Sequence, residues 1–274
     1  SAASDVYKRQ PSHQSQPLVR AALQLIVRRH AVLRTFYVMH RTSVIQIVLP
    51  EDGFVAPLDE CREEDWLVRS AQMSSQPFVL TKAPPLRAIR SDAQQRTRLL
   101  IVVDHVAADY ASTLIIQRDL HLTCDALHRG ATPCLPNLQL QYADFSLWQQ
   151  RHSVDNKAGS LEWWRRKLLD APQLLELPMD RPRQAMVQAV GKSVSTCIDS
   201  ALGTVVSTLC TQLHVSNLSC FLAAWAALLM WLSGQNEIVL GQPLSLQLEY
   251  AELQDLVGSF ATPVPVRVAT AVCF

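Results

Sequence analysis

A chain of 274 residues with 25 Lys and Arg against 24 Asp and Glu carries a formal net charge of +1, so no strong field gathers nucleic acid or an anionic membrane. Hydrophobic residues make up 49% and charged residues 18%, which excludes a disordered chain and leaves room for one large domain or two lobes. Seven cysteines, an odd number without a CxxC, fit neither a disulfide framework nor a zinc ribbon and read as reduced thiols in a cytoplasmic protein.

Residues 1–10 (SAASDVYKRQ) show no amphipathic period, and the PSHQSQP after them is loop-like, so they read as a non-native or disordered leader. From Pro17 onward, Leu18, Ala21, Ala22, Leu25 and Ile26 recur at helical spacing, and the basic run Arg28-Arg29-His30 closes that helix. Residues 34–38 and 43–49 are rich in β-branched and aromatic side chains and read as strands. A surface helix is expected over 59–73 and a strand over 86–90. Residues 99–103 (LLIVV) are continuously apolar, as in a strand covered on both faces.

That strand runs into Asp104-His105-Val106-Ala107-Ala108-Asp109-Tyr110, and a helix follows Asp109 with Leu114, Ile115, Ile116 and Leu120 as its apolar residues. Two helices are expected over 142–151 and 161–169, then a proline-containing connector, then helices over 201–213 and 218–232. The apolar run 220–232 is too short to span a bilayer and reads as a buried core helix. Strands over 237–241 and 264–268 complete the chain. Strands alternate with helices throughout, so the class is α/β, with lobes over 11–175 and 176–274.

His105 stands where a rigid strand opens into a loop, the place where scaffolds present reactive side chains. Asp109, four residues on, puts a carboxylate within about one turn of that imidazole. The spacing by itself is weak evidence, since a lone histidine near an aspartate is more often structural. His121, Cys124 and His128 share a helix face, but they span two turns without a fourth ligand, so no metal is expected. No GxSxG, GxGxxG or GxxxxGK[ST] occurs, which removes motif support for a serine hydrolase or a nucleotide site.

Six blocks in order resemble the condensation domains of nonribosomal peptide synthetases, relatives of chloramphenicol acetyltransferase. Residues 29–37 (RHAVLRTFY) resemble RHExLRTxF, and 104–110 occupy the place of HHxxxDG. Residues 142–148 (YADFSLW) resemble YxDFAxW. WWRRKL at 163–168 with LLELPMDRP at 174–182 is similar to YWxxxL and LxLPtDrpR. SGQNEIVLGQP at 233–243 is similar to SGQxDIVxGxP, and Val257-Gly258-Ser259-Phe260 to the opening of IGxFVNTLPLR.

The resemblance implies a chloramphenicol acetyltransferase-like, two-lobed α/β fold with the second lobe truncated. It implies that His105 positions an attacking amine and takes or relays its proton, with Asp104, Asp109 and Arg34 as structural support. Asp109 is expected to pair with Arg34, and Tyr110 is a tunnel-lining candidate. Asp104 stands where the motif has its first His, and Tyr110 where it has Gly. No cofactor is bound directly: the substrates would ride on the phosphopantetheine arms of upstream and downstream carrier domains, beside an adenylation domain. Two alternatives stay open, an acyltransferase of the same superfamily using CoA or carrier thioesters, and a degenerate, non-catalytic domain that recruits a partner protein.

Overall fold

A computed structural model describes residues 3–10, 16–93, 96–155, 157–182 and 194–270. The chain divides into two compact units, Ser1–Asn156 with Leu244–Thr262, and Lys157–Pro243 with Pro263–Phe274. This differs from a division at 175: the chain leaves the first unit at Asn156 and returns to it for residues 244–262. The return is held by apolar burial, because Leu253, Leu256 and Phe260 pack on Phe145.

The first unit is built on a four-stranded sheet in the order β1 (Ala3–Gln10), β6 (Arg96–Asp104), β5 (Leu86–Ala93), β4 (Asp59–Cys61). β6 runs antiparallel to both β1 and β5, and β4 runs parallel to β5. The period-2 geometry of β6 sends Leu99, Ile101 and Val103 into one core and Leu100 and Val102 into another, so both faces are covered. Helices α1 (Gln16–Arg29) and α3 (Tyr110–His128) cover the first face, with Val19, Leu23, Ile26, Ile116 and Leu120 buried at helical spacing. Trp66, Met73 and Phe78 cover the other face from α2 (Trp66–Ser75) and the segment after it. A hairpin of β2 (Thr35–His40) and β3 (Ser43–Val48) and helix α4 (Tyr142–Asp155) complete the unit.

Two expectations change here. Residues 3–10 are not a disordered leader: all eight pair in register with β6, from Ala3 opposite Asp104 to Gln10 opposite Thr97. The backbone hydrogen bonds of a sheet edge recruit a segment whose own sequence carries little period. Residues 59–61 form a strand rather than the start of a helix, because the partner β5 lies far along the chain and local pattern cannot report it.

The second unit holds α5 (Lys157–Lys167), α6 (Ser200–Leu213), α7 (Asn217–Ser233) and most of the ribbon of β7 (Glu237–Ser245) and β8 (Ala261–Ala269). Asp199 and Ser216 cap α6 and α7 by accepting from the N–H groups of Leu202 and Ser219. Gln235 pins the connector, donating to Leu174 O and accepting from Glu176 N. Arg267 bonds Glu237 and donates to the carbonyls of Lys167 and Leu169. Helix α7 is not the buried core helix its composition suggests. Only Ala226, Leu229 and Met230 are buried, against Ile238, while Phe221, Trp225 and Trp231 are exposed. Among the described residues, no single helix is long and apolar enough to cross a membrane.

Candidate active site

β6 ends at Asp104, and the chain turns at once. The Asp104 carboxylate accepts the Val106 N–H at 3.0 Å, and its carbonyl accepts the Ala107 N–H at 2.9 Å. Ala107 and Ala108 are fully buried, so their small side chains let the turn sink into the core between α1 and the sheet. His105, between them and the strand, is exposed. Asp104 is thus a turn-forming carboxylate, a role compatible with its replacing a histidine.

Asp109 caps α3 from a β-region backbone and is only 2% exposed. Its Oδ1 accepts from the N–H of Ser112 and lies 2.9 Å from the Ser112 hydroxyl; its Oδ2 accepts from the N–H groups of Phe260 at 3.1 Å and Ala261 at 3.2 Å. Three backbone N–H donors aimed at one buried carboxylate, with the Ser112 hydroxyl shared between it and the Gly258 carbonyl, satisfy it without a cation. Ser112, with no exposure, also accepts the Gly258 N–H at 3.0 Å and lies 2.7 Å from the Gly258 carbonyl, which takes the Asp109 N–H as well. Tyr142 closes this seam: its hydroxyl donates to Ser259 O, and its ring lies so near Gly258 that a Cβ there would sit 2.1 Å from Cδ2. Burial, and then the charge of Asp109, pushes the Tyr142 phenol above its ordinary pKa.

The expected Asp109–Arg34 pair is not formed. The Arg34 side chain donates instead to the carbonyls of Leu49, Val27 and Arg28 and, at 3.3 Å, to Glu51. A guanidinium suits the orphan carbonyls of a helix's last turn, where the dipole is negative, and Val27 and Arg28 end α1. Asp109, already filled by N–H donors, has no lone pair that needs it. Tyr110 is the first residue of α3 and 76% exposed, and it is not among the positive-φ residues. No backbone strain therefore follows from losing the motif's glycine.

A second buried carboxylate escaped sequence reasoning. Asp119, in α3, accepts from Arg29 Nε at 2.9 Å and from Arg118 Nε and Nη2 at 2.9 and 2.7 Å, and it meets His30 Nε2 at 3.2 Å. Burial alone would raise its carboxyl, but His30 and Arg118 outweigh burial and hold it below the usual range. Burial also holds the His30 imidazole below its ordinary value against the pull of Asp119. The signal was the Arg-His pair at 29–30, read as a basic helix end and as the start of the RHExLRTxF-like block but not as the partner of a buried carboxylate. His121 pairs with Asp125 at 3.2 Å, Cys124 is buried, and no group of three or more metal-ligating side chains occurs among the described residues.

A mixed sheet whose central strand ends in a turn bearing an exposed histidine, anchored by a buried aspartate, fits the chloramphenicol acetyltransferase-like α/β class that the resemblance implied. The family model for the condensation domain matches residues 5–272, and the chain belongs to that family. The match begins inside β1. Among its relatives, phosphinothricin tripeptide synthetase PhsC of Streptomyces viridochromogenes is 32% identical over 91% of this chain and 24% of its own length. Malpinin synthetase of Mortierella alpina is 29% identical over 93% of this chain and 3% of its own. The crystal structure of the X-domain from teicoplanin biosynthesis superposes with a TM-score of 0.87 at 26% identity, over 98% of this chain and 61% of that one. The epimerization domain from the third module of tyrocidine synthetase B gives 0.83 at 17% identity, a likeness of fold alone. The chain thus spans less than a quarter of these synthetases and about three fifths of the structural relatives.

Proposed function

We propose that this chain is the part of a peptide-bond-forming domain that carries the reacting histidine. It transfers a carrier-bound aminoacyl or peptidyl thioester to the amine of a downstream carrier-bound amino acid. The observation that carries the reading is the exposure of His105 on a turn fixed from both sides, by Asp104 at its start and Asp109 at its end.

The amine nitrogen attacks the thioester carbonyl carbon, a C–N bond forms, and the C–S bond breaks. The proton lost from the amine ends on the departing carrier thiolate. His105 orients the amine and takes or relays that proton, an imidazole being suited to both near neutral pH. Orientation contributes at least as much, because a neutral amine is already nucleophilic. Tyr110, exposed at the next helix start, narrows the approach to His105. The partners are upstream and downstream carrier domains with phosphopantetheine arms and an adjacent adenylation domain, working in the cytoplasm. The test places this chain in the full-length polypeptide with loaded carriers and compares dipeptidyl-carrier formation for wild type and His105→Ala by intact-protein mass spectrometry. A large loss in the variant is expected, and equal product in both removes the role of His105.

A second reading has one observation in its favour. The X-domain of teicoplanin biosynthesis, similar at 26% identity, has been solved in complex with OxyB. A chain with Asp104 and Tyr110 at two motif positions would then recruit a partner protein instead of joining substrates. Correctly folded, fully loaded wild type that makes no dipeptide while binding one purified partner protein stoichiometrically would select this reading.

A further inference from the structure

Helix α4 and the returning segment share a cavity of about 410 Å3 within the first unit. Neither His105 nor Asp109 lines it. Phe145 and Trp148 of α4, Tyr250 of the returning segment and two leucines form its apolar lining. Asp144 and Glu252 supply its charge, and among the described residues no lysine, arginine or histidine lines it.

The rings form a corner. Trp148 and Tyr250 lie 5.6 Å apart at 70° to one another, and Phe145 lies 5.9 Å from Trp148. Phe145 is buried with Leu253, Leu256 and Phe260 and so anchors the corner to the core. Trp148 at 36% and Tyr250 at 41% exposure keep aromatic surface open.

The carboxylates have no counter-charge. Among the described residues neither Asp144 nor Glu252 forms an ion pair. Asp144 accepts the Gln141 N–H at 2.8 Å, which closes the first turn of α4 and fixes the group without neutralising it. Arg118 reaches the same returning segment, but it is held by Asp119 and Asp255. A cavity walled by aromatic rings and edged by negative charge suits a cation with an apolar skin. A primary ammonium brings three N–H groups, and hydrocarbon walls would leave most of them unsatisfied. A quaternary ammonium has no N–H to satisfy. Its attraction to a carboxylate acts through space, so the two acids need only stand in the lining. We propose that this cavity binds a quaternary ammonium group, held against Trp148 and Tyr250 in the field of Asp144 and Glu252. The volume admits a molecule of choline's size.

The test is an NMR titration of the full chain with choline chloride and with its neutral isostere 3,3-dimethylbutan-1-ol, each against sodium chloride at equal ionic strength. Choline is expected to shift the Trp148 indole N–H and the amides of residues 250–253 saturably, and to bind about threefold or more tighter than the alcohol. Glu252→Gln, on an exposed side chain, should weaken choline about two- to fourfold and leave the alcohol unchanged. Trp148→Leu keeps an apolar wall and should weaken choline more than the alcohol. A trimethyllysine amide run beside choline names the source: a modified protein side chain if it binds tighter, a free small molecule if choline does. The proposal falls if choline gives no saturable shift, or if the alcohol binds as tightly, since the cavity then reads only apolar surface. It falls equally if Glu252→Gln leaves choline affinity unchanged, a readout that survives should Trp148→Leu fold poorly.

Discussion

The carboxylate of Asp109 accepts the backbone N–H of Phe260 at 3.1 Å, across 151 residues of sequence, and so ties the start of α3 to the returning segment. The same group caps the helix through Ser112. Its removal leaves buried donors unpaired at both places. Asp109→Ala is expected to lower stability by about 3 kcal/mol or more, the sum of a lost cap and of unsatisfied N–H groups. Asp109→Asn, which keeps one acceptor oxygen, should cost about half as much. Urea unfolding of the purified chain measures both, and a loss below about 1 kcal/mol for the alanine variant would contradict the assignment.

Arg34 and Asp109 serve different parts of the unit, one the end of α1 and the other the start of α3. Their substitutions should therefore be independent. The double variant Arg34→Ala with Asp109→Ala is expected to lose the sum of the single losses within about 0.5 kcal/mol. A coupling of about 2 kcal/mol or more would restore the ion pair that the resemblance implied.

Gly258 is required by contact rather than by backbone angle, since a Cβ would meet the Tyr142 ring at 2.1 Å. Gly258→Ala forces the ring or the backbone at 258 to move and should cost about 2–3 kcal/mol. Trimming the ring offers the test: in the Tyr142→Leu background the same glycine substitution should cost clearly less. Equal penalties in the two backgrounds would show that the clash is absorbed elsewhere.

Acid sensitivity follows from His30. Burial holds its folded pKa below the ordinary 6.5, so the unfolded chain takes up that proton first as pH falls. The stability it contributes is complete above pH 6.5 and is lost as pH falls toward the folded value. Asp119, held below its ordinary 3.8, adds a loss only in more acid solution. The urea midpoint should fall between about pH 7 and about pH 5, and His30→Gln, which keeps an N–H for Asp119, should flatten that slope. A wild-type midpoint independent of pH over this range would exclude the buried neutral imidazole.

Much of this protein was legible in its residues taken locally. The continuous run at 99–103 announced a strand covered on both faces because every residue there is apolar, and β6 is buried on alternate sides as that requires. The helical spacing from Leu18 gave α1 to within a residue or two, since amphipathic period is a property of neighbours in sequence. The ordered blocks gave the family, and the turn after β6 gave the place of His105.

What tertiary structure alone decided are the partners. An aspartate's sequence does not say whether a guanidinium or a set of backbone N–H groups will satisfy it, and Asp109 took the N–H groups of Phe260 and Ala261. Residues 3–10 became a strand because an edge of β6 stood open beside them, a fact located about a hundred residues away. The segment from Asp104 to Tyr110 is the same case. The chemistry proposed for it rests on His105, a residue the sequence shows directly, but the turn is held by Ser112, Gly258 and Phe260, which only folding brings within hydrogen-bond reach.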